Sequence, residues 1–295
     1  MADITLSPIP ARQRRFQSLF TAVIGHRFLG HRKVQLALII LVPILLLTIL
    51  APVLPIQKPL ETNLRAMMQF PSIEHVFGTD KMGRDIFSRT LAGVEVSLMV
   101  GLSVAAIALL FGMVLGTLAG FYGGWVDRII MTVVDIFLAF PSLLLAIGLV
   151  SVMGTGIVPV ILAISLADVP RFIRLQRSQV LSLRSRAFID AARTIDASQY
   201  WLMSRHIVPN TLAPMLVAAS ITAANAILVE ASLSFLGLGI MPPQPSLGNI
   251  VRDGQTYLEQ AWWISTLPGA VILLIAIGLH FLSDGVRELL DPRSR

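Results

Sequence analysis

Six apolar stretches alternate with polar, basic segments along the chain, and each is read against the roughly 20 mostly apolar residues that a bilayer-crossing helix needs. Leu36 to Leu54 is nineteen residues without a charge. Val96 to Gly124 is a second, longer uncharged run, and Ile129 to Gly154 a third, interrupted only by Asp135. Ile157 to Pro170 is shorter, contains Asp168, and spans only if Arg171 and Arg174 sit at the inner interface. Thr211 to Ile240 holds a fifth span and includes Glu230, and Ile264 to Leu282 is the sixth. The first run exceeds the 7–15 apolar residues of a signal core and follows 35 others, so it reads as an uncleaved helix. The pattern therefore predicts an all-α integral membrane protein with six transmembrane helices.

The polar segments divide the chain further. Residues 1–35 form a cytosolic segment in which Phe16, Leu19, Phe20, Val23, Ile24 and Phe28 recur at helical spacing. Both an interfacial amphipathic helix and a solvated tail fit that spacing. The first helix is placed at 36–56, an outer loop at 57–93, a five-helix core at 94–285 with an inner segment at 184–210, and a cytosolic tail at 286–295. In the outer loop, Gly78-Thr79-Asp80-Lys81-Met82-Gly83-Arg84-Asp85 combines turn and cap residues. An Arg84–carboxylate clasp ordering the loop is preferred there to a ligand site. Gly112, Gly116 and Gly120 share one helix face and predict a close helix–helix contact. Pro141 and Pro159 are expected to interrupt their spans.

Composition agrees with a membrane protein. Hydrophobic residues make up 55% and charged residues 14%, with a mean hydropathy of +0.77, against roughly 25% charge in soluble domains. The net charge of +6 could suggest nucleic acid, but long uncharged runs separate the charges instead of gathering them on one soluble face. Their placement follows the positive-inside rule. With the N-terminus inside, the inner side holds six Lys/Arg before the first span, Arg128, seven from Arg171 to Arg205 and three after Asp284. Only 6 of the 23 fall outside. Both termini are thus expected in the cytosol.

Candidate chemistry is sparse. Cysteine is absent, which excludes disulfides and thiolate sites. His26, His31, His75, His206 and His280 show no metal spacing. Lys33, Lys58 and Lys81 are the only lysines and none is followed by Ser or Thr, so the chain has no phosphate loop of its own. The acids within the spans, Asp135, Asp168 and Glu230, are costly in lipid and mark a partner or a pathway. Pairing with an arginine is the first expectation for each. Glu230 is the best candidate to face a translocation cavity and meet a cationic group of cargo.

The inner segment 171–210 is too long for a turn between helices. Helical spacing runs to Ile195, Asp196 or Ser198 can cap a second short helix, and Pro209 lies near its end. Two short helices bearing Phe188, Ile189, Ile195, Trp201 and Leu202 make a knob suited to a soluble partner, or else an amphipathic pair on the membrane.

Asp190-Ala191-Ala192, then Asp196 after three intervening residues, and Ile207-Val208-Pro209 resemble the E-A-A-x3-G…I-x-L-P signature of ABC importer permeases. Asp190 stands for Glu, Asp196 for Gly and Val208 for Leu. Gly78–Asp85 resembles the G-T-D-x-x-G-R-D of the C-type permease subunit in dipeptide, oligopeptide and nickel importers. Phe121-Tyr122-Gly123-Gly124, Ala139-Phe140-Pro141-Ser142, the run Glu230 to Gly239, Trp262-Trp263 and Asp284-Gly285-Val286-Arg287 resemble that subunit in the same order. The resemblance implies a type I, MetI-like permease fold and half of a peptide pathway across the inner membrane. Its implied partners are a homologous B-type permease, two ATP-binding subunits and an extracytoplasmic substrate-binding protein. ATP would be bound by the partners, with no cofactor and no catalysis on this chain. Phe188, Asp190, Ala191, Ala192, Asp196, Ile207 and Pro209 would then dock the ATP-binding subunit. Alternatives are nickel complexes or glutathione as cargo and, in a different class, an ion-coupled secondary transporter using the in-span acids.

Overall fold

The computed structural model describes residues 30–194 and 198–290, so residues 1–29, which hold the expected interfacial helix, and the end of the tail lie outside the described residues. Among the described residues the architecture is all-α. The helices are α1 (Arg32–Leu50), α2 (Ile86–Tyr122), α3 (Gly124–Leu138), α4 (Ser142–Met153), α5 (Ile157–Arg184), α6 (Ala187–Thr194), α7 (Gln199–Leu202), α8 (Val208–Phe235), α9 (Leu247–Gln255) and α10 (Trp263–Leu290). Arg32–Val53, Ile86–Tyr122, Gln199–Phe235 and Trp263–Leu289 are each long and apolar enough to cross a bilayer, and α3 with α4 adds a fifth candidate if the pair counts as one span.

Two expectations change. The stretch 129–154 is not one continuous helix: α3 and α4 meet at a 90° bend. Pro141 has no N–H to donate and disfavours helical backbone at Phe140, so α3 ends before it. Pro159, by contrast, interrupts nothing. It sits in the first turn of α5, where its missing N–H had no intrahelical acceptor.

The long helix α2 is the axis of the bundle, packed along its length against α5 and α8, while α10 packs on α1 and α8. Its start is fixed by Asp85, whose carboxylate accepts from Ser88 N at 2.7 Å. It ends at Gly123, with φ +68. Val100, Val104, Val160, Ile164, Ala226 and Leu233 share one apolar core. The glycine face is used as expected, since Gly112, Gly116 and Gly120 lie against Phe172, Gln176 and Val180 of α5.

The expected clasp is present and larger than the spacing suggested. Asp80 accepts from Arg84 Nε at 2.7 Å and from Arg89 Nη1 at 3.2 Å, and from the backbone N–H of Met82 and Arg84 at 2.8 and 2.9 Å. Asp253 of α9 lies 3.8 Å from Arg89, and His75 lies 3.1 Å from Asp85. The loop is thereby fastened both to the start of α2 and to α9. Asp80→Asn keeps one of the two acceptor oxygens and removes the charge opposite buried Arg89, at a cost of about 1–3 kcal/mol. Protease cleavage of loop 57–85 in spheroplasts is expected to be faster in this variant, with the membrane level of the chain unchanged.

Candidate functional site

The arginine-rich end of the bundle, hereafter the inner end, carries a compact knob. It consists of α6, α7 and a π-helical turn, Met203–Ile207, that leads into α8. Ser198 caps α7 by accepting from Trp201 N at 3.3 Å, as one of the two capping alternatives proposed. Pro209 lacks the N–H that a regular α-helix would direct at Arg205, and the widened turn immediately precedes it. The knob is built around Ile189, Ala192, Leu202 and Ile207, packed on Phe121 of α2 and Val180 of α5. Arg184 reinforces the joint by donating to the Phe121 carbonyl at 2.9 Å.

Burial separates the expected docking residues. Ala192 (9% exposed) and Ile207 are inside the knob, so they shape it and offer no surface of their own. Pro209 is exposed. Phe188, Asp190 and Ala191 belong to α6. Asp196 lies outside the described residues. Tyr200, which no motif marks, is 77% exposed beside half-exposed Trp201. Its signal was available: on a four-residue helix whose Leu202 turns inward, Tyr200 is directed away from the core.

Just inside the knob, buried Gln176 of α5 donates from Nε2 to Thr117 Oγ1 of α2 at 2.8 Å and to Thr211 Oγ1 of α8 at 2.9 Å. Three helices are thus pinned at the point where the knob meets the bundle.

The in-span acids divide two to one. Asp135 pairs with Arg174 at 2.5 Å and Asp168 with Arg171 at 3.3 Å, as pairing with an arginine predicted. Asp127 makes a bidentate pair with Arg177, fixing α3 against α5. Glu230 is different. It is fully enclosed (0% exposed) and accepts from Ser97 Oγ at 2.8 Å and Ser234 Oγ at 2.9 Å. A cavity of about 510 Å³ opens between α2, α3, α4 and α5, walled by Phe111, Val133, Phe137, Leu166, Pro170 and Ile173. None of the three acids lines it.

Residues 112–295, which include α5, the knob, Glu230 and α10, match the family of binding-protein-dependent transport system inner membrane components. The chain belongs to this family. A protein named as a peptide transport system permease of Brucella abortus is 41% identical over 293 residues, covering 99% of this chain and 95% of the relative. A dipeptide transport system permease of Alkalihalophilus pseudofirmus is 43% identical over 258 residues, 88% of this chain and 85% of that one. A glutathione transport system permease of Pectobacterium atrosepticum is 39% identical over 223 residues, 76% and 74% of the two chains.

The chain is therefore an ABC importer permease, a multi-pass protein of the inner membrane and a transport subunit. Membership also decides against the ion-coupled secondary transporter, because this family works within binding-protein-dependent systems. The hydrogen bonds of Gln176 to Thr117 and Thr211 join α2, α5 and α8 beside the knob.

Proposed function

We propose that this permease forms half of the transmembrane pathway of an ATP-driven importer of di- and oligopeptides, with six spans and both termini in the cytosol. It pairs with a homologous B-type permease, two ATP-binding subunits and an extracytoplasmic substrate-binding protein, and ATP is bound and hydrolysed by the partners. The observation that carries this reading is the knob, a preformed helical projection with an apolar interior and exposed Tyr200 and Trp201. Aromatic side chains in this setting are favoured anchors for a protein partner. Closure of the ATP-binding subunits displaces the knob. The contacts of Phe121 and Val180 and the Gln176 pin pass that displacement to α2, α5 and α8, and the pathway shared with the second permease turns from inward-open to outward-open. The paired acids Asp135 and Asp168, with Arg174 and Arg171, supply charge for the pathway wall near the inner end.

Peptide cargo takes precedence over nickel complexes because the relatives described above are named for peptides and glutathione. Glutathione is itself a tripeptide with free termini, so its import is the second cargo reading and needs no different pathway chemistry.

Docking is tested by co-purification of the whole assembly from detergent-solubilised membranes. Tyr200→Asp with Trp201→Asp places two charges on the exposed face and removes both anchors. The yield of ATP-binding subunits is expected to fall about tenfold or more, the scale of truncating a central anchor residue, with the permease pair recovered at the wild-type level. Full recovery of the ATP-binding subunits would contradict the docking assignment.

A further inference from the structure

Of Asp135, Asp168 and Glu230, only Glu230 has no basic partner among the described residues, and its neighbours are unusually complete. Ser97 of α2 donates to one carboxylate oxygen and Ser234 of α8 to the other, at 2.8 and 2.9 Å. The hydroxyl of Ser246, the N-cap of α9, interacts with the same carboxyl group. Ser234 Oγ in turn accepts from Ile240 N at 3.1 Å. Ser246 and Asn249 exchange backbone and side-chain hydrogen bonds in a capping box. Asn249 Nδ2 donates to the carbonyls of Ile240 and Gln244 at 3.3 and 3.1 Å. Glu230, Ser97, Ser234, Ser246 and Asn249 are all buried. The connection from α8 to α10 thus does not loop freely over the outer surface. It folds back, with Leu247 and Ile250 buried and α9 packed on α8, α10 and α2.

A residue that met cargo would expose an oxygen toward a cavity. Both carboxylate oxygens of Glu230 are already used, and the group is sealed from every surface of the chain. A buried acceptor gathering donors from separate elements does something else: it fixes those elements relative to one another, because each donor left without it would carry a desolvation penalty. We propose that Glu230 is a positioning residue that holds the outer segment, residues 236–255, folded back against α2 and α8, and that it does not contact cargo. This rests on the importer reading for its role in transport. The fold-back itself is measurable without any cargo.

The absence of cysteine from the chain permits a clean reporter. In the assembled importer in intact membranes, Leu247→Cys supplies a buried thiol within the fold-back, and its reaction with a membrane-impermeant maleimide reports opening. Uptake of lysyl-alanine, alanyl-alanine and glutamyl-alanine is measured beside it. Glu230→Gln keeps acceptor and donor capacity for the hydroxyls. Labelling should stay at the Leu247→Cys rate, and uptake of the three dipeptides should change by one common factor within about threefold, since no cargo charge is involved. Glu230→Ala should speed labelling by about tenfold or more, as a local opening equilibrium shifts, and reduce uptake of all three dipeptides equally.

Should Glu230→Ala fail to accumulate, Ser97→Ala removes one donor and is expected to speed labelling by about threefold with the same equal reduction. Selective loss of lysyl-alanine uptake in Glu230→Gln, or unchanged labelling in both alanine variants, would overturn the proposal. Absence of uptake of any dipeptide by the parent assembly counts against the peptide reading, while the labelling rates still decide the role of Glu230.

Discussion

Ala192→Asp abolishes uptake while leaving the chain inserted. Ala192 lies at the centre of the knob, among Phe121, Val180, Ile189, Leu202 and Ile207. A carboxylate placed there has no donor in that cluster, and burying an unpaired polar group costs roughly 2–7 kcal/mol, more when it is charged. The knob relieves that cost by unpacking from α2 and α5. The spans are held by contacts elsewhere, including the glycine face of α2 and the cores around Val100 and Phe172. Immunoblots of membrane fractions should therefore show wild-type amounts of chain, with uptake reduced about a hundredfold, the scale of some 3 kcal/mol of lost coupling. Ala192→Gly supplies the control: it costs only about 1 kcal/mol of helix propensity, and uptake should survive. Wild-type uptake by Ala192→Asp would remove the knob from the mechanism.

Gly116→Leu is expected to act in the opposite way, removing the protein before function can be scored. A Cβ at position 116 would stand 2.6 Å from Gln176 Cβ and 2.7 Å from the Ile173 carbonyl oxygen. Those atoms belong to the backbone or the root of a side chain and cannot swing aside, so α2 and α5 must part. Overpacking of this kind costs typically 1–3 kcal/mol. Parting also stretches both hydrogen bonds of Gln176, worth about 0.5–1.5 kcal/mol each. The sum is a large share of the 5–15 kcal/mol that holds a typical protein together. The amount of chain surviving in the membrane should fall steeply, with a lowered melting temperature for the fraction that can be extracted. Gly148→Ala in α4, where an added Cβ meets nothing within 4 Å, should leave both unchanged.

What could be read from sequence follows the range of the interactions involved. The apolar runs, the glycine spacing of four and the short-range pairing of Arg84 with Asp80 are local patterns, and local patterns were legible. Pairing of Asp135 with Arg174 and of Asp168 with Arg171 could be expected from the cost of a lone charge in lipid, without knowing which arginine would serve. The 90° bend at Pro141 was legible only as an interruption, because a proline forbids the straight continuation but does not set the new direction. On helices as short as α6 and α7, periodicity cannot say which face meets a partner. Ala192 and Ile207 therefore turned out to form the interior of the knob, and Tyr200 its surface. Glu230 was the least legible. Its hydroxyl partners come from α2, α8 and the cap of α9, positions 97, 234 and 246, and only the folded-back outer segment brings them to one point.

The most direct test of ATP-driven import is uptake of a dipeptide into vesicles containing the permease pair and its ATP-binding subunits, with the binding protein supplied on the extracytoplasmic side. ATP is offered on the cytosolic side, with and without imposed proton and sodium gradients. Uptake is expected only when ATP and the binding protein are both present, to be insensitive to collapse of either gradient, and to disappear with Ala192→Asp. Gradient-driven accumulation without ATP, or ATP-driven accumulation that Ala192→Asp leaves intact, would contradict it.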